Sequence, residues 1–272
     1  MPVAIVTGAG KRIGRGLALA MAEDGYDIAV HYRSSKPEAE ETVRDVEALG
    51  RRAMPFRADL GIGGDIEAMM ANIRTRLGPA QCLINSASLF DYDLADNWTV
   101  GSFDRHMAVN LRAPLHLAQR LIEDLPDGVQ GCVINLLDQK LFNLNPDFYT
   151  YTLSKLGLKG ATEMLAQAVA PKCRVNAVAP GLTLQSGDQS QEQFAQVHAM
   201  TPMGRGTSIG DIADAVRYLV RATAVTGAVL PVDCGQRLSA MDRDVMFLDP
   251  DRPERPRPAD DDPGGENPGN DG

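Results

Sequence analysis

The sequence predicts an α/β fold in one domain, a doubly wound parallel sheet with helices on both faces. Three observations predict it. Short apolar runs rich in β-branched residues alternate with amphipathic stretches over most of the chain, the pattern of strands buried on both faces beneath helices. A glycine-rich turn joins the first such run to the first helical stretch. The 272 residues are 44% hydrophobic, enough for one substantial core.

Residues 2–7 form the first strand and residues 17–22 have helical character. A second strand follows over 27–32, then a charged amphipathic helix over 37–49 that stops at Gly50. The third unit is a strand at 52–56 and a helix at 65–77, closed by Gly78 and Pro79. A fourth strand at 81–85 leads into a helix over roughly 100–124. Strand 132–136, helix 151–170 and strand 174–178 continue the alternation, and helix 211–220 with strand 228–232 ends it. Residues 183–208 are polar and Gln-rich and read as a loop, placed after a strand end where a lid over a substrate belongs. No internal repeat is visible. The domain is expected over 1–248. From 249 to 272, six prolines and four glycines with almost no apolar residue leave nothing to offset ordering entropy, so disorder is expected.

The formal charge is -9, and the tail's eight acidic residues against three arginines account for five of those charges. The body is therefore only mildly acidic. It has no basic stripe for nucleic acid and no apolar run able to cross a bilayer. The first strand begins without a charged leader or cleavage site, and a cytoplasmic protein is expected. Cys82, Cys132, Cys173 and Cys234 are scattered, which predicts reduced, mostly buried thiols. Neither they nor His31, His106, His116 and His198 show ligand spacing, so no metal is expected.

Sheets of this kind bind ligands outside the carboxyl ends of their strands. The turn Thr7-Gly8-Ala9-Gly10-Lys11-Arg12-Ile13-Gly14 lies there. Gly8 and Gly14 permit a tight turn and close approach of a pyrophosphate to the helix N-terminus, a dinucleotide signal in this β-α-β context. After the second strand, where an acidic residue would bind the ribose 2′-OH of NAD, the chain reads His31-Tyr-Arg-Ser-Ser-Lys36. Arg33 with Ser34 or Ser35, aided by Lys11 or Arg12, suits a 2′-phosphate, so NADP(H) is expected over NAD(H). Tyr151 and Lys155 stand four apart at the start of a helix, and an ammonium beside the phenol would favour its ionised form.

Taken together with Asp59-Leu60, Asn85-Ser86-Ala87-Ser88, Asn110 and Pro180-Gly181, these motifs resemble the short-chain dehydrogenase/reductase family over residues 3 to about 240. The resemblance implies a single-domain Rossmann fold, usually a homotetramer and otherwise a dimer. Asp59 and Leu60 would lie at the adenine, Asn85, Ser86 and Ala87 along the cofactor, and Pro180, Gly181 and Thr183 at the nicotinamide. Tyr151 would donate the proton. Lys155 would bind the nicotinamide ribose and assist Tyr151, and Asn110 would support a water relay to that lysine.

Three departures narrow the resemblance. Arg12 stands where the family usually has Gly, Ser86 where it has Asn, and Asp138 where it has a serine thirteen residues before the tyrosine. Pteridine reductases of the family share the Lys-Arg pair, the His-Tyr start after strand two, that Asp, and an aromatic ring where Phe90 stands. The expected reaction is therefore NADPH-dependent reduction of a pterin, with Arg12, Ser88, Phe90, Asp138 and Tyr151 contacting substrate. Reduction of another carbonyl or imine is the alternative. A catalytically idle NADP(H)-binding regulator is the third reading, supported by the acidic tail alone.

Overall fold

The computed structural model describes residues 1–185, 191–239, 241–244 and 247. The predicted tail at 249–272 lies outside them, as do residues 186–190 of the polar stretch.

Among the described residues seven strands form one parallel sheet: β1 (Val3–Val6), β2 (Asp27–Tyr32), β3 (Ala53–Arg57), β4 (Cys82–Asn85), β5 (Gly131–Leu136), β6 (Cys173–Pro180) and β7 (Val229–Val232). Their order across the sheet is β3-β2-β1-β4-β5-β6-β7. Helices α1 (Arg12–Glu23), α2 (Lys36–Ala48), α3 (Gly63–Arg76), α4 (Val100–His106), α5 (Ala113–Asp124), α6 (Tyr149–Val169), α7 (Gln191–Ala199) and α8 (Ile209–Arg221) connect them. This is the doubly wound Rossmann architecture the sequence predicts.

Alternation along β1 shows how the sheet separates two cores. Ala4 and Val6 pack with Leu17, Met21, Ile212 and Leu219 beneath α1 and α8. Val3 and Ile5 face the other way, onto Ile66, Met70, Leu117 and Leu121 of α3 and α5. Parallel register places Val6 beside Val30 on one side and Ile84 on the other. β1 thus sits at the point where strand order reverses, and the turns after β1 and β4 border the resulting crevice.

Two stretches differ from expectation. The helix predicted over 100–124 is interrupted by a π-helical segment, Met107–Arg112, between α4 and α5. One extra residue per turn is invisible to a 3.6-residue pattern, and here it delivers Asn110 into the interior. The polar stretch read as a loop contains α7, whose Val197 is buried. A single short apolar contact among glutamines gives too little periodicity to reveal a helix. The four cysteines are free and buried, as expected. Among the described residues no helix is long and apolar enough to cross a membrane, and no group of His, Cys, Asp or Glu is placed to hold a metal.

Candidate active site

The crevice is built by backbone bonds from its two lips. The buried Thr7 hydroxyl accepts the N–H groups of Ser86 and Ala87, each at 2.9 Å, fixing the turn after β4 against the glycine turn. Gly8 has φ +66°, and a Cβ at Gly14 would lie 2.2 Å from the Gly8 carbonyl oxygen, so neither position accepts a side chain. Arg12 adopts φ +52°, a left-handed conformation costing a non-glycine residue on the order of 1–2 kcal/mol. That geometry sends its guanidinium to the Gln185 carbonyl at 3.0 Å, across to the segment following β6.

His31 holds the third side. Its Nδ1 accepts the Gly8 N–H at 3.0 Å, so the ring proton is on Nε2, which donates to the Ala58 carbonyl at 3.1 Å. Burial drives its pKa down to about 4, so the ring is neutral at physiological pH. Asp59 faces the crevice, its carboxylate accepting the Gly61 N–H at 2.8 Å, and Leu60 is buried behind it. Together Gly8, Lys11, Arg12, Ile13, Gly14, Arg33, Asp59, Leu60, Ser86, Ala87 and Ser88 line a groove of about 390 Å³.

The remaining predicted cofactor residues fall out as follows. Arg33 and Ser34 are exposed at the mouth, and Ser35 stands next to Lys36 at the start of α2. Lys11 pairs with Glu38 at 2.5 Å. The Asn85 side chain turns into the sheet and donates to Asn135 at 2.8 Å, so only its backbone remains for the crevice. Past β6, Pro180, Gly181 and Thr183 form a turn in which Thr183 donates to the Gly181 carbonyl at 2.8 Å. Gln236 braces it by accepting the Leu182 N–H at 2.9 Å.

At the carboxyl end of β5 the catalytic candidates come together. Tyr151 donates its hydroxyl proton to Asp138 Oδ2 at 2.8 Å, and Lys140 N–H donates to Asp138 Oδ1 at 2.8 Å. Burial raises the Asp138 pKa above the usual carboxylate range. Burial first, then the Asp138 charge, pushes the Tyr151 phenol well above 10. Burial brings Lys155 down to about 8, and its ammonium donates to the Leu136 carbonyl at 2.8 Å. Whatever pull the Lys155 ammonium exerts toward ionised Tyr151 is outweighed by burial and the Asp138 carboxylate. The ammonium stands 5.8 Å from the ring centroid and bonds the end of β5, while the hydroxyl faces a carboxylate. At neutral pH the site holds a neutral phenol. Asn110 bonds Leu89 through both backbone groups and Ser154 Oγ at 3.0 Å, which ties the turn after β4 to α6; its side chain serves this bracing. Phe90 is 40% exposed, stacks on Phe148 at 4.0 Å, and meets the Tyr151 ring edge-on at 4.7 Å. Ser88 lines the groove, its hydroxyl 3.3 Å from Asn110 Oδ1.

Several residues of the site have no local signature. Phe148, the N-cap of α6, has φ +54° and offers no side-chain cap. The cap comes from Asp93, 57 residues before Thr150, whose N–H it accepts at 2.9 Å and whose hydroxyl it also bonds. Buried His106 joins the same cluster, with Nδ1 2.8 Å from the Thr150 hydroxyl. Lys140 and Asp147 are likewise buried beside the catalytic helix. Only folding assembles these groups, so spacing carries no sign of them.

A sequence profile described as enoyl-(acyl carrier protein) reductase matches residues 8–237. A 3-oxoacyl-[acyl-carrier-protein] reductase of Staphylococcus epidermidis is 30% identical over 240 residues, covering 85% of this chain and 97% of that protein. The chain belongs to the short-chain dehydrogenase/reductase family. It is an oxidoreductase of that type. Among solved structures, an alternative dihydrofolate reductase from Brucella canis, FolM, complexed with NADP, is 37% identical, with a TM-score of 0.85 over 89% of this chain and 96% of that one. The angucycline C-6 ketoreductase LanV with bound NADP is 30% identical, with a TM-score of 0.80 over 88% and 96%.

Proposed function

We propose that the protein reduces pterin-type substrates, of the dihydropterin, dihydromonapterin or dihydrofolate class, with NADPH as hydride donor. The observation that carries this reading is the half-buried hydrogen bond between Tyr151 and Asp138, with Phe90 beside it. The similarity to FolM supports it.

The crevice fits a dinucleotide bearing a 2′-phosphate. Side chains are sterically shut out at Gly8 and Gly14, the α1 N-terminus faces the groove, and Arg33 lines its mouth with no acid in Tyr32-Arg33-Ser34-Ser35-Lys36. Gly8, Gly14, Lys11, Arg12, Ile13, Arg33 and the serines beside it, Asp59, Leu60, the 85–87 turn, Lys155, Pro180, Gly181 and Thr183 would hold it. When bound, the nicotinamide supplies hydride to a substrate carbon.

Reducing a C=N bond also places a proton on nitrogen. Tyr151, neutral at physiological pH, supplies that proton to the ring nitrogen. Asp138, whose burial makes it an unusually basic carboxylate, returns a proton from solvent to the phenolate. Its carboxylate also accepts ring N–H or amino groups, which a ketone lacks. Phe90, stacked on Phe148 and 40% exposed, offers aromatic surface beside Tyr151 for a flat heterocycle, a contact worth on the order of 1 kcal/mol beyond burial. Arg12, already reaching from the glycine turn to Gln185, closes the crevice side, and Ser88 borders it.

A second reading, reduction of a ketone, is supported by the similarity to LanV and to the 3-oxoacyl reductase. Incubation with NADPH and a panel of oxidised and dihydro pterins, with simple ketones alongside, separates them. Turnover of ketones with no NADPH oxidation on any pterin overturns the pterin assignment. We also infer a homotetramer, testable by light scattering of the purified protein, and a cytoplasmic location, testable by cell fractionation.

A further inference from the structure

Lys140 follows Asp138 by two residues and is 2% exposed. Burying an ammonium is unfavourable unless it is paired. Here it donates to the Asp147 carbonyl at 2.5 Å and to Asp244 Oδ2 at 3.2 Å, and lies 5.4 Å over the Phe148 ring. Its backbone N–H occupies Asp138 Oδ1, which leaves Oδ2 to Tyr151. The turn carrying Asp138 is therefore held from the far end of the chain.

The hold on Asp244 is itself built. Asp147, fully buried, accepts two guanidinium bonds from Arg243 at 2.8 Å each, the Asp244 N–H at 2.7 Å and the Tyr92 hydroxyl at 3.2 Å. Phe247 packs against Phe148 and Tyr92, with centroids 5.9 and 4.9 Å away, and Phe148 is the ring on which Phe90 stacks. We propose that Lys140, clamped between the Asp147 carbonyl and the Asp244 carboxylate, is a positioning residue for Asp138, and that Arg243, Asp244 and Phe247 thereby complete the active site. The inference rests on the reductase reading and deepens it, since the oxygen of Asp138 that meets Tyr151 is selected by a contact about one hundred residues downstream in sequence.

The charges around Asp138 make the role measurable. Tyr151 and Lys155 face it from α6, Lys140 from its own turn and Asp244 from the C-terminal side, with Asp147, Arg243 and Tyr92 behind them and His106 6.3 Å from the Tyr151 ring. Burial raises the proton affinity of Asp138 most, the hydrogen bonds from Lys140 and Tyr151 lower it, and the Asp244 charge raises it again, as it also raises that of Tyr151. Asp244→Asn, which keeps an oxygen for Lys140, is expected to move the ionisation seen in the pH profile of kcat downward by about half a unit. Arg243→Gln is expected to lower kcat about tenfold, with the NADPH dissociation constant within twofold of wild type. Arg243→Lys, which retains the charge, should recover part of that loss and reads the same quantities if the other variants do not fold. All are measured in the full chain on whichever substrate the wild type reduces, so failure of the pterin assignment leaves the comparison intact. A pH profile unmoved by Asp244→Asn, or NADPH affinity falling in step with kcat, overturns the proposal.

Discussion

His31→Gln isolates a buried titratable group that ties the glycine turn to the residue after β3. The unfolded chain binds a proton on this histidine near pH 6.5, the folded protein only near pH 4, because burial excludes the charge, an effect that outweighs the Ala58 carbonyl and the Asp59 carboxylate, and because Nδ1 already accepts the Gly8 N–H. The folded pKa is the lower one, so the wild type has the full contribution of His31 above pH 6.5. It loses that contribution as pH falls, at about 1.4 kcal/mol per pH unit, until the folded ring protonates. By pH 5 the loss is about 2 kcal/mol. Glutamine cannot titrate. Urea unfolding of both proteins at pH 7.5 and pH 5 is the assay, and every other carboxylate and histidine cancels in the comparison. His31→Gln should be the less stable protein at pH 7.5, with its deficit shrinking by about 2 kcal/mol at pH 5. A deficit that is constant across that range would refute a neutral, doubly bonded His31.

Tyr151→Phe removes the proton donor but no cofactor contact, so kcat should fall by about a hundredfold or more with NADPH affinity largely intact; stopped-flow or steady-state rates with a fluorescence titration check both. Asp138→Ser should reduce pterin turnover more than ketone turnover, and equal losses on both substrates would remove its substrate role. Arg33→Ala should weaken NADPH about tenfold, the loss of one charge-assisted hydrogen bond, while leaving NADH binding unchanged. Equal weakening of both cofactors would place the 2′-phosphate elsewhere.

The sheet was legible because its strands are short apolar runs separated by glycine and polar turns, and the crevice because Gly8, Gly14 and the 85–88 turn sit next to strand ends. Asp138 was legible through its spacing to Tyr151, a distance set by one strand end and one helix start. The electrostatics were not. Two residues four apart on α6 suggest an ammonium beside a phenol, but the fold sends Lys155 to the Leu136 carbonyl and gives the hydroxyl to Asp138. Nor does the sequence reveal that the α6 cap is Asp93, that Asn110 lies on a π-helical turn, or that Arg243 reaches Asp147 across 96 positions. Each depends on a long-range contact with no periodicity of its own.

The measurement closest to the central claim is NADPH oxidation, followed at 340 nm, when the purified protein meets dihydropterins and dihydrofolate, with Asp138→Ser run in parallel. Turnover of at least one pterin, largely lost in Asp138→Ser, is expected. Ketone reduction without any pterin turnover, or pterin turnover indifferent to Asp138, would contradict it.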